Sequence, residues 1–148
     1  MARLVFFLLA TLASVCALRL PAASVARSAA ARMEMDLSGG LAKPRIEKMI
    51  ADNKVMLFMK GNKMFPQCGF SNTAVMILKA VTSSAGGDFE TFDVLSDNDI
   101  REGIKEYSNW PTIPQCYVDG EFIGGCDLLI EMYENGELAE MIEKAVAS

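Results

Sequence analysis

Residues 55–82 read VMLFMKGNKMFPQCGFSNTAVMILKAVT. The run Val55–Met59 is continuously apolar, which is typical of a strand buried on both faces of a sheet. After a loop that contains Cys68, the stretch Ser71–Thr82 places apolar residues on one broad face at helical spacing. The segment therefore predicts a buried strand, a loop with a cysteine, and a helix that begins close to that cysteine.

The flanking sequence supplies the remaining elements. Asp97 is a predicted helix N-cap, Asp119-Gly120 is a hairpin signal, and residues 82–88 (TSSAGGD) predict a surface loop. The order α-β-α-β-α-β-β-α-α is that of a thioredoxin fold with an added N-terminal helix, an α/β class with a four-stranded mixed sheet flanked by helices. The other predicted helices are Leu41–Asn53, Asp97–Tyr107, Leu128–Glu134 and Glu137–Val146, and the other strands are Phe89–Val94, Gln115–Val118 and Glu121–Ile123.

Composition excludes several classes of function. The 148 residues are 51% hydrophobic and 22% charged, a balance typical of one globular domain. The chain has no histidine, which excludes histidine-based catalytic triads, histidine general bases and histidine-ligated zinc or iron sites. A net charge of −5 disfavours binding to DNA or RNA.

The first 33 residues differ from the rest in charge. They hold four arginines and no acid, whereas the remainder has ten Lys and Arg against nineteen Asp and Glu, a net charge of −9. Leu4–Leu18 is an apolar run behind Arg3, shorter than the ~20 residues of a membrane span, and predicts a signal peptide over about residues 1–17. Residues 18–33 are rich in Ala, Ser and Arg, as transit peptides are.

This pattern resembles the bipartite leader of algae with secondary plastids, and we expect delivery to the plastid. Secretion and a mitochondrial presequence are the alternatives. The predicted organisation is a leader over 1–33, a linker over 34–40 and one domain over 41–148, with no membrane attachment once the leader is removed.

Three cysteines remain after the leader, Cys68, Cys116 and Cys126, and an odd number does not suggest a disulfide framework. Cys68 lies at a predicted helix N-terminus, with Lys60 and Lys63 upstream. Unpaired N–H groups and cationic charge both favour the thiolate. Cys68 is therefore a candidate nucleophile or metal ligand, and the alternative is a buried, inert cysteine.

Three motifs carry a family resemblance. They are Cys68-Gly69-Phe70-Ser71 with Lys60 upstream, the WPTIPQ segment at residues 110–115, and Gly124-Gly125-Cys126-Asp127. In this order, over Leu41 to Val146, the chain resembles the monothiol glutaredoxins of the CGFS type. The resemblance implies the glutaredoxin variant of the thioredoxin fold.

The resemblance also implies a glutathione site beside Cys68. By motif position, Lys60 and Arg101 would face the glycyl carboxylate, although both could instead be solvated surface charges. The backbone of Ile113, before a cis Pro114, would pair with the main chain of the tripeptide. The γ-glutamyl end would go to Cys126 and Asp127, with Phe70 as a candidate wall of the pocket.

Ser71 occupies the position at which dithiol glutaredoxins have a resolving cysteine. The resemblance then implies a labile [2Fe-2S] cluster that bridges a homodimer, with two Cys68 thiolates and two glutathione thiolates as ligands. Such a protein would carry clusters to apo iron–sulfur proteins, or pair with a BolA-type partner through a shared cluster. The alternative is an oxidoreductase that removes glutathione from mixed disulfides through Cys68, a reading disfavoured by the long loop around Asn62–Phe65.

Two residues keep open alternatives, Cys126 and Trp110, and a third, Cys116, has one interpretation. Cys126 either lines the pocket, which we favour, or forms a disulfide with Cys68 under oxidation. Cys116 is interpreted as a small core residue. Trp110 is either a wall of the pocket or a lid on the core.

Overall fold

A four-stranded mixed sheet forms the centre of the computed structural model, which describes residues 41–148. The strands are β1 (Val55–Met59), β2 (Glu90–Asp93), β3 (Gln115–Val118) and β4 (Glu121–Gly124), in the order β2-β1-β3-β4. β1 is parallel to β2 and antiparallel to β3, and β3 and β4 form an antiparallel hairpin. This confirms the predicted fold class.

Five helices cover both faces of the sheet. They are α1 (residues 41–52), α2 (Gly69–Ala85), α3 (Asn98–Ser108), α4 (Cys126–Glu134) and α5 (Glu137–Ala147). All five residues of β1 are buried, because alternate side chains enter two cores. Leu57 packs in a core with α2, α4 and α5, and Phe58 packs in a core with α1 and α3. Side chains from both faces of the sheet thus build two cores within residues 41–148.

Several predicted helix boundaries are wrong. α2 begins at Gly69 rather than Ser71, α4 begins at Cys126 rather than Leu128, and the largest difference is at the end of α2. Residues 82–88 were expected to form a loop, but α2 continues to Ala85. The hydroxyl of Thr82 donates to the carbonyl of Leu78 at 2.7 Å, and that of Ser84 donates to the carbonyl of Ala80 at 3.0 Å. These short polar side chains are therefore satisfied within the helix. The helix ends only at Gly86, whose φ of 71° gives a left-handed cap.

The predicted leader and linker lie outside the described residues and stay predictions. Within residues 41–148, none of the helices combines the length and the apolar character that a membrane-spanning segment requires.

The topology brings four chain segments to one end of the sheet, where β1 ends and β3 begins. β1 and β3 are antiparallel, with Phe58 opposite Gln115, so the end of β1 lies beside the start of β3. The loop after β1 leads to the first turn of α2, and the end of β4 leads directly into α4. The N-termini of two helices therefore meet the loop that precedes β3.

Candidate functional site

An open cavity of about 640 Å³ lies at this end of the sheet. Its volume is within the range of small-molecule sites, roughly 300–1,000 Å³. All eight residues predicted from the sequence to form the site line it, from Lys60 on the β1 side to Asp127 on the α4 side. Their proximity is a property of the fold, whereas their individual roles stay predictions.

Cys68 is the N-cap of α2 and is half-buried at the cavity wall. The pKa of its thiol is lowered from the ordinary value of 9.0, mainly through the backbone N–H of Ser71 in the first turn of α2. Partial burial opposes this effect, but the N–H of Phe70, the charge of Lys60 and the hydroxyl of Ser71 reinforce it. The helix terminus thus stabilises a thiolate, which is both the nucleophilic and the metal-binding form of cysteine.

The side chain of Ser71 is fully buried beside the site. Its hydroxyl oxygen accepts from the backbone N–H of Lys60 at 3.2 Å. The same hydroxyl also helps to lower the pKa of the Cys68 thiol. In place of a second thiol, Ser71 therefore supports the thiolate and ties α2 to the end of β1.

The loop between Lys60 and Cys68 is fastened to β2. The backbone N–H of Gly61 donates to the carboxylate of Asp93 at 2.9 Å. Lys63 forms ion pairs with Asp88 at 3.1 Å and Glu90 at 3.6 Å, and its ammonium lies 4.5 Å from the ring centre of Phe89. The expectation that Lys63 supports the Cys68 thiolate is wrong, because these carboxylates already hold its charge. Among the lysines, Lys60 alone lowers the pKa of Cys68.

A cationic side of the cavity is formed by Lys60, Arg101 and Lys105. The Nε of Arg101 is buried and has no hydrogen-bond partner within residues 41–148. The ammonium of Lys105 is 3.0 Å from both carboxylate oxygens of Glu102. Sequence reasoning missed Lys105, yet its place one helical turn after Arg101 puts both residues on the same face of α3. This side of the cavity is suited to an anionic group.

The loop before β3 forms another wall. The peptide bond between Ile113 and Pro114 is cis, as the motif predicted. Trp110 lines the cavity and also packs against Phe122, with ring centres 5.9 Å apart. It therefore serves both as a wall of the pocket and as a cover on neighbouring aromatic residues.

The N-terminus of α4 closes the opposite side. Cys126 and Asp127 are its first two residues, so their N–H groups lack partners within the helix and favour an anion. Burial raises the pKa of the Cys126 thiol, and the nearby charges of Asp127 and Cys68 raise it further. A Cβ on Gly125 would stand 3.2 Å from the indole nitrogen of Trp110, so a glycine allows this helix end to approach the loop. Cys68 and Cys126 thus lie at one site, with the pKa of the first thiol lowered and that of the second raised.

The remaining residues have simpler positions. Phe70 lines the cavity mouth with 61% of its surface exposed, and Leu128 lies on the α4 side. Cys116 is fully buried in the core with α2, α4 and α5, and burial raises the pKa of its thiol to about 12. It therefore serves as a small core residue, as predicted. All three cysteines of the described domain are free.

Comparison with known proteins identifies the family of the chain. Residues 55–123 match the family model Glutaredoxin. The chain is 62% identical over 106 residues to an uncharacterized monothiol glutaredoxin (ycf64-like) of Synechocystis, covering 72% of this chain and 95% of that protein. The chain belongs to the monothiol glutaredoxins. This glutaredoxin is also 52% identical to the chloroplastic monothiol glutaredoxin-S7 of Oryza sativa over 74% of its length, but spans only 65% of the rice protein.

A solved structure gives the same assignment. The solution structure of reduced poplar apo GrxS14 superposes with a TM-score of 0.62 at 53% identity, covering 72% of this chain and 94% of that one. The segment that carries the two cores and the cavity is therefore equivalent to nearly the whole of an independently folded glutaredoxin.

The two lysines of the active-site loop give a paired prediction. We expect Lys60→Gln to raise the pKa of Cys68, because it removes a cation that stabilises the thiolate. Less thiolate at neutral pH means slower alkylation, so the measurement is the iodoacetamide rate at Cys68 against pH. Lys63→Gln is the matched control and should leave that pKa unchanged, since Asp88 and Glu90 hold its charge. An equal shift in both variants would contradict this assignment.

Proposed function

We propose that this glutaredoxin binds glutathione in the cavity and carries a [2Fe-2S] cluster, shared between two protomers, to apo iron–sulfur proteins. The observation that carries the proposal is a single stabilised thiolate, Cys68, at an open cavity in which a buried Ser71 replaces a second thiol. Such a site lacks the resolving cysteine of a dithiol pair in α2 but retains a thiolate ligand.

The charges of the cavity support glutathione as the bound thiol. The tripeptide has a carboxylate at each end and one ammonium group. Arg101 and Lys60 would receive the glycyl carboxylate, which would give the buried Nε of Arg101 an acceptor. The first N–H groups of α4 would receive the γ-glutamyl carboxylate, and Asp127 its ammonium. The backbone of Ile113 would pair with the peptide between these ends.

The donor set of the chain supports a shared cluster. Within residues 41–148 there is no group of three or more His, Cys, Asp or Glu side chains placed to hold a metal ion. One protomer offers Cys68, and the glutathione beside it offers a second thiolate. Two protomers with two glutathiones supply the four thiolates that a [2Fe-2S] cluster requires. Because two of these ligands are dissociable, the cluster can pass to an apo-protein, or be shared with a BolA-type partner.

The competing function is protein deglutathionylation, which the lowered pKa of Cys68 also favours. The Cys68 thiolate would attack the glutathione sulfur of a mixed disulfide, and the substrate cysteine would leave as a thiolate. A second glutathione thiolate would then attack the Cys68–glutathione disulfide, releasing oxidised glutathione and restoring Cys68. Both functions use the same cavity. They are distinguished by whether the protein binds an iron–sulfur cluster and by how fast it reduces glutathione mixed disulfides.

The test is anaerobic reconstitution of residues 34–148 with iron and sulfide in the presence of glutathione, S-methylglutathione or neither. S-methylglutathione retains both carboxylates but has no free thiol. Of the three samples, we expect visible absorption and iron uptake only in the one that contains glutathione. Equal uptake in all three samples would overturn the proposal. A colourless protein that rapidly reduces glutathione mixed disulfides would place the function with the oxidoreductases.

We propose the plastid as the site of action. The bipartite pattern of residues 1–33 supports this, as do a chloroplastic relative in rice and a relative in a cyanobacterium. A fluorescent protein fused behind residues 1–40 tests the proposal. Plastid fluorescence is expected, whereas accumulation in mitochondria or in the secretory route would support the alternatives.

A further inference from the structure

Gln115 is fully buried at the first position of β3, directly after the cis peptide bond. Its side-chain nitrogen donates to the backbone carbonyl of Trp110 at 2.9 Å and to that of Thr112 at 3.1 Å. Its side-chain oxygen accepts from the hydroxyl of Tyr117 at 3.3 Å. A buried amide that makes three hydrogen bonds holds its partners in place, because leaving a buried polar group unpaired costs free energy.

The two carbonyls that Gln115 holds, those of Trp110 and Thr112, lie just before the predicted ligand contact, Ile113. Trp110, Thr112 and Ile113 all line the cavity. Of the backbone hydrogen bonds outside helices and strands in residues 41–148, none involves Ile113. The amide of Gln115 thus draws the carbonyls of Trp110 and Thr112 inward, and the backbone of Ile113 is left available to pair with a peptide.

We infer that Gln115 is a positioning residue for the glutathione site. Its side-chain amide sets the backbone of residues 110–113 and thereby the wall on which the tripeptide main chain binds. This inference rests on the proposed glutathione site. Gln115 does not line the cavity, so its effect on binding passes through the loop that it holds.

Gln115→Met tests this role, since methionine has a similar length and fills the same space but cannot donate to either carbonyl. We expect the Kd for reduced glutathione, measured by calorimetry on residues 34–148, to rise about tenfold through the loss of a buried hydrogen-bonded anchor. The pKa of Cys68 should not change, because its causes lie in α2 and Lys60. Trp110 is the single tryptophan of the chain, so its emission reports directly on the loop and should shift in the variant.

Tyr117→Phe is the matched control. It removes the partner of the side-chain oxygen but leaves both bonds from the nitrogen to the loop, so the affinity for glutathione should stay within about twofold. Loss of affinity in both variants with a shifted Cys68 pKa would mean general disruption of the domain and would overturn the inference. Unchanged affinity in Gln115→Met would overturn it alone, whereas absence of glutathione binding by the unmodified protein would overturn the proposed function as well.

A measurement on the unmodified domain keeps the inference testable if Gln115→Met fails to fold. The side-chain amide protons of Gln115 should exchange slowly with solvent, and their NMR resonances should shift when reduced glutathione is added. Rapid exchange, or no shift at saturating glutathione, would overturn the inference.

Discussion

Cys68→Ser is expected to leave a folded domain that takes up no iron–sulfur cluster when reconstituted with glutathione. The substitution removes the one stabilised thiolate of the cavity, and a serine hydroxyl is a poor ligand for iron at neutral pH. Because Cys68 is a half-buried N-cap and serine is a favoured residue at that position, the fold should be retained. The readouts are iron content, visible absorption and the thermal unfolding midpoint.

Cys126→Ser is the control for this prediction. Cys126 lies at the same cavity, but burial raises the pKa of its thiol whereas the pKa of Cys68 is lowered, so Cys126 is the poorer ligand. We expect this variant to retain most of the cluster. Full cluster content in Cys68→Ser, or complete loss in Cys126→Ser with an unchanged unfolding midpoint, would contradict the assignment of Cys68 as the ligand.

Gly61→Ala should give the largest loss of stability among single-methyl additions to the active-site loop. Gly61 has a φ of 84°, and an added Cβ would meet the carbonyl oxygen of Phe65 and stand 2.8 Å from the nitrogen of Gln67. Both neighbours are backbone atoms, so the loop must move. We expect the free energy of unfolding to fall by about 3 kcal/mol, with slower alkylation of Cys68.

Gly136→Ala separates backbone strain from steric overlap as causes of that loss of stability. Gly136 has the same φ of 84°, but nothing lies within 4 Å of its added Cβ. Backbone strain alone should cost about 1 kcal/mol there, measured by urea unfolding. If both variants lost the same stability, the close packing of the loop around Gly61 would not be the cause.

Much of the fold could be predicted from hydrophobic patterning. Val55–Met59 and Gln115–Val118 form strands with the predicted limits, because buried strands show continuous apolar runs and the turn Asp119-Gly120 fixes the hairpin register. Helix ends were less predictable. Gly69, Ser83 and Ser84 have weak helix propensity, yet α2 includes all three because tertiary packing and local hydrogen bonds outweigh that propensity.

The site, like the fold, could be predicted only in part. Motif spacing identified Cys68, Arg101 and the Ile113–Pro114 wall, and the fold brings them to one cavity. It could not show that Lys63 is paired with carboxylates of the β2 side, nor that Gln115 anchors the loop at Trp110. Those contacts join residues far apart in sequence or depend on the direction of one buried side chain, and neither leaves a periodic signal.

The central claim is a cluster held jointly by two chains and two glutathiones, and native mass spectrometry of reconstituted residues 34–148 tests it most directly. The account predicts a complex of two chains, two glutathiones, two irons and two sulfides, which separates into glutathione-free monomers when the cluster is lost. A cluster bound to a single chain, or to two chains without glutathione, would contradict it.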